Sequence, residues 1–486
     1  MQIHSAPCRL LARLLIAVLL IQPVAAQQLA NRLPDLGDPA QQSLSPAQER
    51  RIAEEVMREV RFREPSYLDD PEVEEYLAAL GRSLTSSPVV AGQNYQFFVL
   101  NDRTINAFAM PGGVIGLHTG LIATAATESE LASVMAHEIG HVEQHHMARM
   151  LSRQGNTTAM MIGSLLLAIL AGRNSPAAAG ALLASGQAAA IQSQLSYSRD
   201  YEREADRVGL QILDSSGFDP EGMPSFFERM YAQTRGMDNN APAYLRTHPL
   251  TQDRVSDIGS RVHQLRAQPH ASSIDFALVR SKVEVLQAGG QIALSRLLPR
   301  KVVTAQEQSS RWYGLARAYL AENQLDKAAQ ALVELRKLKP DTSMLAMLSA
   351  DIERAHGRFD TAARTCREAR TLYPMRRSLL YCEAESWLAG GKPEEALKVV
   401  DPLLRAPSTD YRLYVLQSKA NTALGRTTQA HRALGEVYLL QGDLSSALDQ
   451  LQIAQRAGGG DYMEQAALDA RLREVKKLFE EAMKDR

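Results

Sequence analysis

Residues 133–141 place side chains suited to metal-dependent hydrolysis on one helical turn. Within this segment His137, Glu138 and His141 stand in the order H-E-I-G-H. On a helix, His137 and His141 lie one turn apart and face the same way, so both imidazoles can reach one metal ion. Glu138 is turned about 100° from His137, close enough to hold a water molecule without being a ligand. The pattern predicts a zinc site with Glu138 as the general base, although H-E-x-x-H also arises by chance in helices.

A catalytic zinc site needs a third protein ligand and keeps one position open for water. One class of such sites takes a further His six residues after the motif, with an intervening Gly. This chain has Met147 and Gln144 at those positions, which excludes that class. The other class takes a Glu from a later helix, and residues 201–206, with the sequence Y-E-R-E-A-D, supply one.

Two acids of this later segment share a helical face. Glu202 and Asp206 are four residues apart, so Glu202 can bind the metal while Asp206 hydrogen-bonds a ligand imidazole and fixes its tautomer. Spacing alone leaves Glu204 as an alternative ligand, but we expect Glu204 to pair with Asp200 or Arg203 on a solvated face. We therefore predict one zinc ion per chain, bound by the two motif histidines and Glu202.

The motif must lie on an element that holds its side chains rigidly. Helix-compatible residues run from Glu128 through Met150, which predicts one helix over that range. His145 and His146 come after the ligand pair, and neither occupies the third-ligand position. We interpret them as surface residues or as residues that lie behind the ligands.

The N-terminus has the pattern of a cleavable secretory signal. Arg9 and Arg13 precede an apolar core at 14–21, and small residues follow at 24–26. The core is much shorter than the roughly 20 residues that span a bilayer. The pattern predicts cleavage after Ala26 and export of the chain, with an uncleaved membrane anchor as the alternative.

The composition excludes several classes of protein. The 486 residues include 54 Lys+Arg and 55 Asp+Glu, a net charge of -1, which argues against a nucleic-acid binder. Aromatic residues make up only 6% of the chain, which favours a helix-rich fold. Removal of the signal leaves Cys366 and Cys382, whose spacing is that of neither a C-x-x-C redox site nor a cysteine-rich zinc site.

From about residue 300 the sequence repeats every 34 residues. Three sets of positions keep this step: the alanines Ala328, Ala362, Ala396 and Ala430, the turn residues Asn323, Gly357, Gly391 and Gly425, and the small residues Ala316, Ala350, Ala384 and Ser418. A helix-turn-helix unit of this length resembles the tetratricopeptide repeat. Stacks of such units bind peptides or partner proteins, although they can also serve only as a scaffold. Cys366 and Cys382 fall on neighbouring helices in this register, which allows either a disulfide or two buried thiols.

H-E-I-G-H followed along the chain by E-R-E-A-D is similar to the gluzincin family that includes the heat-shock protease HtpX and the CAAX prenyl protease. With the export signal and the repeats, the resemblance covers nearly the whole mature chain. It implies His137, His141 and Glu202 as zinc ligands, Glu138 as the base and Asp206 behind a ligand. It also implies a periplasmic protein that degrades misfolded or stalled outer-membrane proteins and assists their assembly, with the repeats binding these proteins or the β-barrel assembly machinery.

Residues 106–113 match a further element of this family. They predict a strand that enters a turn upstream of the metal helix, and the equivalent edge strand of gluzincins hydrogen-bonds an extended substrate. We therefore take Asn106, Ala107, Phe108 and Ala109 as candidate substrate-binding residues. The alternative is a plain core strand.

His248, Pro249 and Arg254 match the family's H-P-x-x-x-x-R element. Our hypothesis is that His248 occupies the fourth zinc position in a resting state and keeps the protease latent. The alternative is that His248 or Arg254 donates a hydrogen bond to the oxyanion of the transition state. Both residues are therefore catalytic candidates.

Membrane members of the family carry a transmembrane hairpin between the metal helix and the third ligand. Here the apolar run at 160–171 is too short to span a bilayer, and residues 177–191 are rich in Ala, Ser and Gln. We expect buried helices or a lid over the substrate groove. Contact of residues 160–191 with a membrane surface and a true span are the alternatives.

The predicted fold class is mainly α with a small β-sheet, in which a gluzincin-type zinc metalloprotease domain precedes an α-solenoid of tetratricopeptide repeats. The predicted boundaries are a signal peptide at 1–26, the protease domain at 27–268, a helical linker at 269–304 and the repeats at 305–486. The rival interpretation is a periplasmic chaperone or adaptor with a vestigial or latent metal site. The intact set of site residues favours the enzyme.

Overall fold

The computed structural model describes residues 44–90, 92–154, 198–234, 242–265 and 269–484. The predicted signal peptide and the apolar stretch at 160–191 lie outside these residues. Within the part of the chain that the structure describes, no helix has both the length and the apolar character needed to cross a membrane.

The described residues up to 265 form a small sheet covered by helices. Their elements are, in chain order, α1 (Pro46–Arg63), α2 (Pro71–Thr85), β1 (Gln96–Leu100), β2 (Ala107–Met110), β3 (Val114–His118), α3 (Thr119–Thr124), α4 (Glu128–Glu143), α5 (His146–Gln154), α6 (Arg199–Ser215), α7 (Gly222–Thr234), α8 (Ala243–Thr247) and α9 (Gln252–Val262). Capping side chains accept backbone N–H bonds at the starts of several helices. They are Asp70 for α2, Thr127 for α4, Ser198 for α6 and Thr251 for α9. Local sequence therefore determines where the helices that carry the site begin.

The three strands form a mixed sheet in the order β1-β3-β2. β1 runs parallel to β3, with Phe97 opposite Ile115, and β2 runs antiparallel to β3, with Ala109 opposite Ile115. β3 is buried along its length, whereas β2 is an edge strand. Helix α4 packs against β2, so the H-E-x-x-H motif lies beside the edge strand.

The helix that carries the motif ends earlier than the sequence pattern predicts. α4 stops at Glu143, and His145 adopts φ 49° in the left-handed region before α5 begins at His146. The prediction of one helix from 128 through 150 is therefore wrong, because a left-handed residue redirects the chain. The change of direction buries the His146 side chain completely.

Helix pairs make up the rest of the described chain. They are α10 (Ile274–Ala288), α11 (Gly290–Leu297), α12 (Ala305–Ala321), α13 (Leu325–Lys337), α14 (Ser343–Ala355), α15 (Phe359–Leu372), α16 (Arg377–Ala389), α17 (Pro393–Val400), α18 (Tyr411–Ala423), α19 (Thr427–Gln441), α20 (Leu444–Ala457) and α21 (Tyr462–Lys484). A 3-10 turn, Asp401–Leu403, follows α17. The prediction of a mainly α chain with a small sheet is confirmed.

The 34-residue register has a direct conformational basis. The turn positions Asn323, Gly357, Gly391 and Gly425 all have positive φ, between 55° and 75°. Glycine adopts this left-handed conformation without a steric cost, and Asn tolerates it better than most residues. The registered alanines from Ala328 to Ala430 are buried, where a small side chain lets paired helices approach closely.

Cys366 on α15 and Cys382 on α16 form a disulfide, with Cα atoms 6.1 Å apart. Of the two alternatives that the repeat register left open, the structure has the disulfide. It joins the second helix of one repeat to the first helix of the next. Both cysteines are buried, so this bond lies between repeats rather than at their surface.

The repeats and the preceding helix α10 pack against α2 through buried charges. Glu72 lies 3.0 Å from Arg317 of α12 and 2.5 Å from Lys282 of α10. Glu75 accepts hydrogen bonds of 2.7 Å from both the backbone N–H and the hydroxyl of Ser378 on α16. The helix that covers one side of the sheet is therefore also the helix that the repeats bind.

Candidate metal centre

Helix α4 directs both motif histidines to one point inside the protein. His137 and His141 are 1% and 2% exposed, and their Nε2 atoms lie 3.0 Å apart. A spacing of four residues on a helix produces this convergence. The two side chains that sequence spacing places together are therefore together in the structure.

Helix α6 brings Glu202 to the same point. Its carboxylate oxygens lie 3.6 Å from Nε2 of His137 and 3.4 Å from Nε2 of His141. Burial alone would raise the pKa of the Glu202 carboxyl, but the nearby imidazoles of His248 and His141 hold it well below its ordinary value. Glu202 is therefore an anionic candidate metal ligand in a cluster whose other members are histidines.

Two glycines let α4 and α6 approach closely enough for this arrangement. A Cβ on Gly140 would lie 2.9 Å from the backbone oxygen of Ala205, and a Cβ on Gly209 would lie 2.9 Å from the backbone nitrogen of His137. The nearest atoms belong to backbone in both cases, so no side chain can move aside. Glycine at these positions therefore sets the distance between the helices that carry the ligands.

We predict that Gly209→Ala destabilises the protein by about 1–3 kcal/mol, the usual cost of forcing an extra methyl group into a packed interior. Gly259→Ala on α9 is the matched control, because a Cβ there meets nothing within 4 Å. In a helix interior this control substitution should be neutral or stabilising by up to about 1 kcal/mol. Urea unfolding measures both variants, and equal stability of the two would contradict the close contact at Gly209.

His248 enters the cluster from the chain that follows α8. Its Nδ1 lies 2.9 Å from Oε1 of Glu202 and 3.4 Å from Nε2 of His137, and its Nε2 lies 3.6 Å from Oε1 of Glu138. Donor atoms of His137, His141, Glu202 and His248 all lie within 4.8 Å of one another, and all four residues are buried. The structure thus brings the hypothetical fourth ligand to the other three.

The donor set fits a zinc ion. Zinc takes N and O ligands at roughly 2.0–2.1 Å in a tetrahedron, which places ligand atoms about 3.4 Å from one another. The observed separations among His137, His141 and Glu202 are 3.0, 3.4 and 3.6 Å. Imidazole nitrogens and a carboxylate oxygen are also the ligand types that zinc prefers. Both the spacing and the chemistry of these residues therefore suit the metal.

Asp206 and Arg254 lie behind the cluster. Oδ1 of Asp206 is 3.0 Å from Nδ1 of His137, on the far side of the ring from the other ligands. Arg254 donates from Nε and Nη2 to Asp206 at 2.7 and 2.8 Å, and its Nη1 lies 2.7 Å from Glu202 and 2.8 Å from the carbonyl oxygen of Pro249. Burial would raise the pKa of the Asp206 carboxyl, but hydrogen bonds from Arg254 and His137 lower it below its ordinary value. All three nitrogens of Arg254 thus contact carboxylates or a carbonyl.

Glu138 follows a ligand in sequence but faces another direction. Its side chain is completely buried, and burial raises the pKa of the Glu138 carboxyl above its ordinary value. The nearby imidazoles of His248 and His137 act in the opposite direction. The carboxylate therefore lies beside the donor cluster, on a helix that packs against the edge strand.

The candidate substrate-binding residues lie on and just before the edge strand β2. The backbone N–H of His118 donates to the carbonyl of Asn106, and Phe108 lies opposite Gly116 on β3. Because hydrogen-bonded and non-hydrogen-bonded pairs alternate in an antiparallel ladder, the N–H and C=O groups of Ala107 and Ala109 point away from β3. This outer side of β2 is the side on which Glu138 lies.

His146 contacts a ligand that spacing alone does not link to it. Its Nδ1 lies 2.9 Å from Nδ1 of His141, and its Nε2 lies 2.9 Å from Oε2 of Glu204. The expected pairing of Glu204 with Asp200 or Arg203 is therefore wrong, because the redirected chain brings His146 to it. Burial lowers the pKa of His146 to about 4. The sequence signal was a histidine pair directly after the motif, but a continuous helix would have turned this side chain away.

Tyr244 is a residue of the cluster that sequence reasoning missed. Its ring stacks on His248 with centroids 4.6 Å apart and lies 6.3 Å from the ring of His137. Burial, together with the negative charge of Glu138, raises the pKa of Tyr244 well above its ordinary value. The sequence feature that could have indicated Tyr244 is its position four residues before His248. The tyrosine holds the His248 ring against the cluster.

A buried H-E-x-x-H helix, a glutamate from a second helix and a stack of helix pairs define a metalloendopeptidase fused to tetratricopeptide repeats. Residues 71–262 match Peptidase family M48. Residues 313–377 and 381–462 match the tetratricopeptide repeat. The predicted fold class and enzyme class are therefore confirmed.

The likeness to characterised relatives extends over most of the chain. The beta-barrel assembly-enhancing protease of Escherichia coli (strain K12) is 33% identical over 415 residues, which cover 84% of this chain and 83% of the relative. Its Yersinia pestis counterpart is 31% identical over 436 residues, 88% of this chain and 89% of the relative. A Vibrio cholerae relative is 35% identical over 422 residues, 85% of this chain and 86% of the relative. The chain belongs to the family of beta-barrel assembly-enhancing proteases.

Proposed function

We propose that this protein is a periplasmic zinc endopeptidase that degrades misfolded or stalled outer-membrane proteins and assists their assembly. The observation that carries the proposal is the buried cluster of His137, His141 and Glu202 beside Glu138 and the outer side of β2. The names of the relatives support a role in β-barrel assembly. The signal-like pattern at 1–26 supports a periplasmic location.

His137, His141 and Glu202 would hold the zinc ion, and Asp206 would fix the tautomer of His137 through Nδ1. Zinc at this position supplies Lewis acidity, which polarises a substrate carbonyl and lowers the pKa of water. Glu138 accepts a proton as water attacks the peptide carbon and passes that proton to the leaving amine. Burial suits it to this task, because a raised pKa brings a carboxyl closer to the operating pH.

The outer side of β2 would bind the substrate backbone. An extended chain paired with Ala107 and Ala109 adds a strand to the sheet through main-chain hydrogen bonds. Such pairing requires an unfolded segment, because a folded β-barrel has its strands already paired. Selection of unfolded over folded barrel proteins therefore follows from the mode of binding.

We assign Arg254 a positioning role rather than the oxyanion role considered from sequence. Its nitrogens contact Asp206, Glu202 and the carbonyl of Pro249. These contacts hold the ligands in place. They also direct the guanidinium away from a bound substrate. His248 is different, because it contacts Glu202 and approaches Glu138 within the cluster. Of the two candidates, His248 is the one placed to compete with substrate.

We predict that His248→Ala raises the rate of proteolysis. In the proposed resting state His248 fills the fourth ligand position, and its removal opens that position to substrate and water. The measurement is the initial cleavage rate of an unfolded outer-membrane protein by the two purified proteins. A rate below that of the parent protein would show instead that His248 stabilises the transition state, and would overturn the latch.

The repeats would bind the substrate or the β-barrel assembly machinery, as their class commonly binds peptides and proteins. The rival function, a chaperone or adaptor with a latent metal site, is favoured by the position of His248 among the ligands. The two functions separate in Glu138→Gln. If assembly of outer-membrane proteins in cells survives this substitution while proteolysis is lost, both functions are present. If both are lost, assistance depends on cleavage.

The proposed function is tested by offering the mature chain one outer-membrane barrel protein in two states. We expect cleavage of the urea-unfolded protein diluted into buffer, and no cleavage of the same protein folded in detergent. His248→Ala is tested in parallel, because latency in the parent chain would slow both reactions. If neither the parent chain nor the His248→Ala variant cuts the unfolded substrate, the protease proposal is contradicted.

A further inference from the structure

A chain of polar contacts runs from the metal cluster to the surface through His141. The Nε2 of His141 belongs to the cluster, and its Nδ1 lies 2.9 Å from Nδ1 of His146. The Nε2 of His146 lies 2.9 Å from Oε2 of Glu204, which also accepts from Arg149 at 2.8 Å. The chain therefore passes from a ligand through a fully buried imidazole to a half-exposed carboxylate.

With His146 neutral, one arrangement of protons satisfies these contacts. Glu204 as a carboxylate accepts and cannot donate, so the proton of a neutral His146 must lie on Nε2. The bare Nδ1 of His146 then accepts, which requires the proton of His141 to lie on Nδ1. His141 is thereby left with its lone pair on Nε2, the atom that faces His137 and Glu202.

We propose that His146 is a positioning residue for the metal ligand His141, and that Glu204 sets the tautomer of both rings. The proposal rests on the zinc site described under the proposed function. It gives the two helical ligands different supports. His137 is held by a carboxylate directly, through Asp206, whereas His141 is held through an intervening histidine.

The surroundings of His146 are built to hold its ring. The left-handed residue His145 ends one helix and starts the next, which returns His146 to the ligand side of the fold. Tyr201 stacks on the His146 ring with centroids 4.5 Å apart and planes 18° apart. The guanidinium of Arg149 lies over the Tyr201 ring, 4.8 Å from its centroid. The orientation that the contact with His141 needs is therefore fixed by neighbours.

Two substitutions of His146 separate positioning from packing. In His146→Asn the Oδ1 atom takes the place of Nδ1 and still accepts from His141, but the stacked ring is lost. In His146→Phe the ring remains and the acceptor is lost. We expect Phe to weaken zinc binding by about 10–100-fold, the usual effect of losing a residue that orients a metal ligand, and Asn to weaken it less. Zinc affinity is measured by competition with a chromophoric chelator on the full mature chain.

Thermal unfolding of the zinc-free variants supplies the second readout. If His146 contributes only packing, the His146→Phe variant should exceed the His146→Asn variant in both zinc affinity and thermal stability. The proposal predicts the opposite order for zinc affinity, with Asn above Phe. A zinc affinity of His146→Phe equal to or above that of His146→Asn would overturn it.

Glu204→Ala tests the outer end of the chain, and Asp200→Ala is its matched control. Both remove one negative charge from α6, but Asp200 is 87% exposed and forms an ion pair with Arg203. We expect Glu204→Ala to lower zinc affinity several-fold, within the range for lost outer contacts, and Asp200→Ala to leave it unchanged. Equal affinity in the two variants would overturn the role of Glu204.

The zinc content of the parent protein keeps this proposal distinct from the proposed function. If the parent binds no zinc, the metal site fails, and the positioning role of His146 fails with it. If the parent binds one zinc ion and His146→Phe binds it equally well, the metal site stands and the positioning role of His146 is wrong.

Discussion

Replacing Glu138 with Gln is expected to abolish peptide hydrolysis while the metal stays bound. The Glu138 carboxylate is completely buried and lies outside the group of ligand atoms, facing His248 at 3.6 Å. Gln has nearly the same shape but cannot take a proton from water. General-base catalysis contributes about 10²–10⁴-fold to rate, so kcat/KM should fall by at least that range. The measurement compares kcat/KM for an unfolded polypeptide and the zinc content of both proteins.

Glu143→Gln is the matched control, because it makes the same change on the same helix away from the cluster. Glu143 accepts a 2.5 Å hydrogen bond from Tyr95 and is half-buried. We expect parent-like cleavage in this variant. Cleavage by Glu138→Gln at the rate of the control would show that another group accepts the proton, and would remove the central residue of the proposed mechanism.

Replacing Arg254 with Met is expected to destabilise the protein by about 3–5 kcal/mol, the cost of removing one partner of a buried ion pair. Arg254 is 1% exposed, and it holds Asp206 through two hydrogen bonds and contacts Glu202 at 2.7 Å. Its loss leaves the buried carboxylates of Asp206 and Glu202 without the guanidinium that contacts both. Urea unfolding with a chelator present measures the effect, because a bound metal would otherwise add to the stability of the native state.

Arg261→Met on the same helix is the control for this substitution. Arg261 is 39% exposed and pairs with Asp257 at 3.0 Å. An exposed pair of this kind contributes about 0–1 kcal/mol. A loss of stability at Arg254 no larger than that at Arg261 would mean that the buried carboxylates become protonated at little cost, and that Arg254 does not brace the ligands.

The parts of the site that depend on helical spacing could be predicted from sequence. His137 and His141 are four residues apart on α4, and Glu202 and Asp206 are four residues apart on α6. Each pair therefore shares one face of a helix whatever the rest of the fold does. The periodicity of the repeats was readable for a similar reason, since every unit needs a left-handed residue between its helices.

The parts of the site that depend on a change of chain direction could not be predicted from sequence. A left-handed conformation at His145 ends α4, and no Gly or Pro marks that position. The contact of His146 with His141 and Glu204 follows from this one residue, so both the length of the helix and the partner of Glu204 were mispredicted. Single non-glycine residues with positive φ are uncommon and leave little trace in sequence.

Contacts between distant segments were also beyond sequence reasoning. Arg254 holds Asp206 across 48 positions of the chain, and Arg317 meets Glu72 across 245. Nothing in spacing or composition pairs one charged residue with another at such separations. The packing of α2 against the repeats can therefore be seen only in the folded structure.

We propose that His137, His141 and Glu202 bind one zinc ion on which peptide hydrolysis depends. The most direct test is to measure zinc per chain in the purified mature protein, remove the metal with a chelator, and follow cleavage of an unfolded polypeptide before removal, after removal and after zinc is restored. We predict one zinc ion per chain, loss of cleavage on removal and recovery on return. Cleavage that persists without metal, or a correctly folded chain that binds no zinc, would show that hydrolysis does not depend on a zinc ion at this site.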